Sequence, residues 1–256
     1  MTEGQSEGAV VPNHSPGPGI LPSTRRNVSH VRMAQMEMTA FKLVEVTDEE
    51  VDKIEGRFGP LAEAVRHLVD ATIRSRVGDD VVSEALAQVQ EITARLQADQ
   101  VDGAAGVNYN ATGRAWNWGN AAVGLRNGAA PPMDVVHDAD GRMHADVMLG
   151  AAYEGPPGCV HGGVSALLLD HIMGVTASGM NRVTLTGTLT LRYVNPLPLG
   201  EVRLDAWISG EEGRKVFVDA TITGAAGVAL EAHGIFIIPR WSGDFEAVVV
   251  NDAGPS

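Results

Sequence analysis

The stretch from Val164 to about Ser178 is apolar almost all the way round, and it constrains the fold more than anything else in the chain. A helix with no polar face has to be surrounded. Four strand-like segments follow it, at 183–194, 201–209, 214–223 and 228–238. They are separated by Pro196-Leu197-Pro198-Leu199-Gly200, Gly210-Glu211-Glu212-Gly213 and Gly224-Ala225-Ala226-Gly227. These are turn residues at spacings that join antiparallel neighbours. Ahead of the helix, Met143, Ala145, Val147 and Leu149 alternate with His144, Asp146 and Met148, as in a half-buried strand that ends at Pro156-Pro157-Gly158. One strand, a buried helix and four more strands predict an α+β domain in which an antiparallel sheet curls around one long helix.

The chain ahead of this domain reads differently. Residues 1–40 are dominated by Gly, Pro, Ser and Asn without apolar periodicity, and are expected to form a disordered tail. Residues 41–100 read as a helical extension. Thr47-Asp48-Glu49-Glu50 has the form of a capping box. Leu61, Val65, Leu68 and Thr72 follow helical spacing, Gly78 interrupts it, and Val82, Leu86, Val89, Ile92 and Leu96 resume it as a narrow seam. Two such helices need a partner: each other, the main domain or another chain. Residues 101–135 read as a linker or wrapping loop, with Trp116 and Trp118 either anchoring it or lining a pocket. The main domain is expected over 136–242, followed by a C-terminal tail at 243–256.

Charge and cysteine usage narrow the partners. Lys and Arg number 19 against 32 Asp and Glu, a net charge of −13, which argues against nucleic-acid binding. Cys159 is the single cysteine, so an intrachain disulfide is excluded and a reducing, cytoplasmic setting is expected. No secretory signal is visible at the N-terminus, and no apolar run is long enough to span a bilayer.

Asp170 is the informative residue. It sits among Leu167, Leu168, Leu169, Ile172 and Met173, where a carboxylate costs several kcal/mol unless it is paired or opens onto a cleft. A structural Asp that caps a loop or meets an arginine is the alternative. Eight residues earlier, Gly162 and Gly163 mark the helix start, where free N–H groups attract developing negative charge. If both lie in one helix, they are roughly 12 Å apart along its axis. One small carbonyl cannot touch both, so the spacing favours a site shared between two chains.

The stretch from Tyr153 to Asp170 (YEGPPGCVHGGVSALLLD), with Leu189–Gly200 (LTLRYVNPLPLG) and Gly213–Val218 (GRKVFV), resembles the PaaI-like and THEM4-like acyl-CoA thioesterases of the hotdog-fold superfamily. The resemblance covers about residues 125–240. It implies a hotdog fold and a homodimer, or a dimer of dimers, with active sites at the subunit interface. It implies acyl-CoA as substrate and hydrolysis to free acid and CoA, with no metal and no bound cofactor. Asp170 matches the catalytic carboxylate, acting as general base or as nucleophile. Gly162 matches the glycine whose N–H polarises the thioester carbonyl, His161 the motif histidine, and Thr186 the hydroxyl that orients water. Gly163 stands beside Gly162 as a substrate contact, and Arg192, Arg214 and Lys215 are candidates for the CoA phosphates. One departure stands out: Tyr153, Glu154 and Gly155 occupy the region where many relatives carry an Asn or Gln.

Strict alternation pairs Thr186 with Thr184, Thr188 and Thr190, away from Leu185, Leu189 and Leu191. If the leucines face the helix, Thr186 reaches the site only through a bulge at Gly187. His144, His161, His171 and His233 show no metal-ligand spacing. A hotdog hydratase or dehydratase, and a non-catalytic acyl-CoA sensor or scaffold, are the rival functions.

Overall fold

A computed structural model describes residues 41–179 and 182–240. The tails expected at 1–40 and 243–256 lie outside the described residues. Among the described residues, no helix is long and apolar enough to cross a membrane.

The chain opens with β1 (Phe41–Leu43) and two helices, α1 (Asp48–Arg74) and α2 (Asp79–Gln97). The capping box at the start of α1 is complete: Thr47 accepts from the Glu50 N–H, and Glu50 accepts from the Thr47 N–H at 2.9 Å. Gly78 forms the N-cap of α2 without a side-chain bond. Short strands β2 (Val107–Tyr109) and β3 (Ala115–Trp116) complete a small sheet of order β1-β2-β3.

The segment 101–135, expected as a linker or wrapping loop, carries β2 and β3. Asn110 is buried and donates to Asp48 at 2.6 Å, while Arg114 reaches Asp52 at 2.7 Å and Glu55 at 2.9 Å. These bonds tie the small sheet to the first turns of α1. Further on, Arg126 stacks over the Phe58 ring at 3.4 Å and Arg66 donates to the Ala130 carbonyl at 3.1 Å. Ala122 and Met133 then enter the main core, so this segment straps α1 to the domain.

The main domain is a six-stranded antiparallel sheet of order β4-β5-β7-β8-β9-β6. Its strands are β4 (Val136–His137), β5 (Met143–Leu149), β6 (Leu185–Tyr193), β7 (Gly200–Glu212), β8 (Lys215–Gly224) and β9 (Gly227–Ile237). Helix α3 (Gly162–Ser178) packs across its inner face against β5 to β9. Alternate residues point inward, among them Val147, Leu204, Val218 and Phe236, all buried. They meet Leu168, Leu169, Ile172 and Met173 of α3, also fully buried. Burial of each such side chain stabilises the fold by about 1.5–3 kcal/mol. Gly234 lets helix and sheet approach: a β-carbon there would lie 2.6 Å from the Phe236 ring and 2.9 Å from Met173.

Two expectations change. Strand β7 does not stop before Gly210; it continues to Glu212 through an irregularity between Ile208 and Gly210, and the chain turns at Gly213, whose φ is +58°. Helix α3 is also not enclosed on every side. Gly163, Leu167, Asp170 and Gly174 follow one stripe that the sheet does not bury. The stripe stays open because β6, beside it, is the sheet's edge strand, with Leu189 and Leu191 its only partly buried residues.

Candidate active site

The start of α3 is held from both sides. The His161 ring accepts from the Gly163 N–H at 3.0 Å as the helix N-cap. Ring and N–H lie two residues apart, close enough for a local bond to replace a helical one. Val164 and Ser165 both donate to the His161 carbonyl. Among the described residues, nothing accepts from the Gly162 N–H. The two glycines thus differ: Gly163 has spent its donor on His161, and Gly162 keeps its own.

From the other side, the Tyr193 hydroxyl donates to the Gly162 carbonyl at 2.9 Å. A β-carbon at position 162 would stand 3.2–3.4 Å from the Tyr193 ring and hydroxyl. Glycine is what lets the ring lie flat against the helix start.

Asp170 lies two turns further along, half-buried at the mouth of a cleft of about 300 Å³. The Thr186 hydroxyl donates to Asp170 Oδ1 at 2.9 Å. The register of β6 explains how. Thr186 pairs with Phe236 and Thr188 with Ile235, which leaves Gly187 as an extra residue. The bulge reverses the alternation, so Thr186, Leu189, Leu191 and Tyr193 all face α3. Without it, Thr186 would share the outer face with Thr190 and Arg192.

His171, Gly174, Val175, Ser178, Gly179, Thr184 and Phe236 line the rest of the cleft. Ser178 and Thr184 share a hydrogen bond of 3.0 Å across it. Burial pushes the His171 imidazole below its ordinary pKa, and the neighbouring Asp170 charge pulls it partly back. Neither Trp116 nor Trp118 lines the cleft; their rings sit 5.8 Å apart within the strap. A larger groove of about 870 Å³ along Asp146, Pro198 and Arg203 contains none of the candidate site residues.

The three basic candidates are not brought to the cleft within this chain. Arg192 points to the outer face and pairs with Glu231 at 3.1 Å. Arg214 sits in the hairpin turn and donates to the Ile238 carbonyl at 3.0 Å. Lys215 is exposed and alternates with the buried Val216, which puts it on the outer face. Glu154 accepts from the Gly158 N–H at 2.7 Å and shapes the loop before His161. Among the described residues, no three His, Cys, Asp or Glu side chains gather as a metal set.

Tyr193 and His171 are the residues that sequence reasoning passes over. The available signal for Tyr193 is its phase, since it falls in step with Leu189 and Leu191. His171 carries no signal apart from its place beside Asp170.

Comparison with known proteins bears on the family and the fold. The thioesterase superfamily model matches residues 157–231. The crystal structure of a thioesterase superfamily protein superposes with a TM-score of 0.63 at 31% identity, covering 70% of this chain and 90% of that one. The chain belongs to the thioesterase superfamily, and its main domain is a hotdog fold. Among curated proteins, it is 40% identical over 85 residues to the acyl-coenzyme A thioesterase THEM4 of Xenopus laevis, covering 33% of this chain and 38% of that protein. It is 36% identical over 91 residues to THEM4 of Mus musculus, covering 34% and 39%. The chain thus spans less than two-fifths of the length of these curated relatives.

Proposed function

We propose that this chain hydrolyses acyl-CoA thioesters to a free acid and CoA at a site built from two copies. The observation that carries the proposal is the hydroxyl–carboxylate pair of Thr186 and Asp170 in an open cleft, on the same helix whose first N–H is uncommitted. About 12 Å of helix separates the two, so a carbonyl at the Gly162 N–H of one copy meets Asp170 of the other. The exposed edge of β6 and the open stripe of α3 are the surfaces such a homodimer would join. A dimer of dimers is compatible with the same contact.

In this reaction, Asp170 takes a proton from water as the water oxygen attacks the thioester carbon. The negative charge that develops on the carbonyl oxygen is met by the Gly162 N–H and the positive end of α3. The carbon–sulfur bond then breaks, and the proton held by Asp170 passes to the CoA sulfur. Alternatively Asp170 attacks directly, giving a mixed anhydride that water opens. Thr186 holds the carboxylate in place and leaves its oxygen lone pairs for the water. The scheme draws on protein groups and water alone, without a metal or bound cofactor. The single cysteine supports a reducing compartment such as the cytoplasm.

Thiol release from a panel of acyl-CoAs tests this reading. Asp170→Asn removes the charge without changing the shape and is expected to lower kcat by about 10²–10⁴-fold, with the melting temperature retained. Binding without turnover at every chain length would sink the hydrolase reading and favour a sensor.

A further inference from the structure

Among the described residues, the helical arm leaves large apolar side chains uncovered. Between Val65 and Leu96, eleven large apolar side chains are each at least 37% exposed, and α2 buries none of its residues. Monomeric proteins seldom leave more than a few hundred Å² of contiguous apolar surface bare. Six of the eleven, Val81, Val82, Leu86, Val89, Ile92 and Leu96, lie along α2 itself.

The pattern on α2 says what kind of surface fits. Val82, Ala85, Val89, Ile92 and Leu96 fall at alternating spacings of three and four, the seam of a helix that packs lengthwise against another helix. Charge says how. Asp79 and Asp80 lie in the first turn and Arg95 in the last. A parallel pair would bring the acidic first turns together. An antiparallel pair sets each acidic end against the partner's Arg95 and opposes the two helix dipoles. Such a pair has two-fold symmetry and closes on itself. Glu84 and Glu91 add to the negative charge of α2, which an anionic membrane surface would repel.

We propose that α2 pairs antiparallel with α2 of a second copy of this chain, forming a self-association surface separate from the edge of β6. The pairing does not depend on the catalytic reading, because none of its residues touches the cleft.

Sedimentation equilibrium of the full chain tests it. Val89→Glu combined with Ile92→Glu is expected to halve the particle mass. The thiol release per chain should stay unchanged, since no residue of α2 lines the cleft. An unchanged mass for this variant overturns the proposal. So does a wild-type chain that already has the variant's mass and instead floats with anionic lipid vesicles. Asp79→Lys with Asp80→Lys should weaken association severalfold, and adding Arg95→Glu should restore it. Failure of that restoration rules out the antiparallel arrangement.

Discussion

Helix α3 is gripped by strand β6 at two places, and the two grips work on opposite kinds of group. At the helix start, Tyr193 holds the Gly162 carbonyl, beside a neutral donor, the Gly162 N–H. Two turns on, Thr186 holds the Asp170 carboxyl group, an acceptor. The first grip fixes backbone that is already ordered by a helix. The second fixes a side chain that would otherwise rotate freely over an open cleft. Orientation should therefore matter more at the second.

Kinetics can break that comparison. Thr186→Val keeps the shape and removes the hydroxyl. A hydrogen bond to a charged group contributes about 1.5–3 kcal/mol, so kcat is expected to fall on the order of 10–100-fold, with Thr186→Ser recovering most of it. Tyr193→Phe keeps the ring against Gly162 and removes one neutral bond, worth about 0.5–1.5 kcal/mol. Its kcat should fall no more than about tenfold, with KM little changed. If Tyr193→Phe costs more than Thr186→Val, the ranking of the two grips is reversed.

His171 gives the smallest effect and a different axis. Its pKa is lowered by burial in the folded chain. The unfolded chain, with a pKa near about 6.5, binds the proton first as the pH falls. Folded stability should therefore decline below that pH and be unaffected above it. His171→Asn should flatten the melting temperature between about pH 5 and 7 relative to the parent. An equal slope in both proteins would remove His171 as the cause.

Much of this architecture is legible in the residues, and the exceptions share a physical reason. The long strands of the main sheet are legible because alternation is a local property, though the irregularities in β6 and β7 are not, and the capping box at Thr47 and Glu50 reads because its partners are three residues apart. The small sheet of β1, β2 and β3 escapes detection because strands of two or three residues carry no period. The open stripe of α3 escapes because Leu167 and Gly174 look like core until one knows where the sheet ends. Asp170 stands out against its leucine neighbours. Tyr193 does not, since its partner lies 31 residues away in sequence and only the register of β6 brings them together.

The extra residue at Gly187 lies between the two grips. Leu189 to Tyr193 keep one pairing register with β9, and Leu185 and Thr186 before the bulge are offset from it by one residue. One extra residue in an edge strand therefore decides which side chain stands beside Asp170.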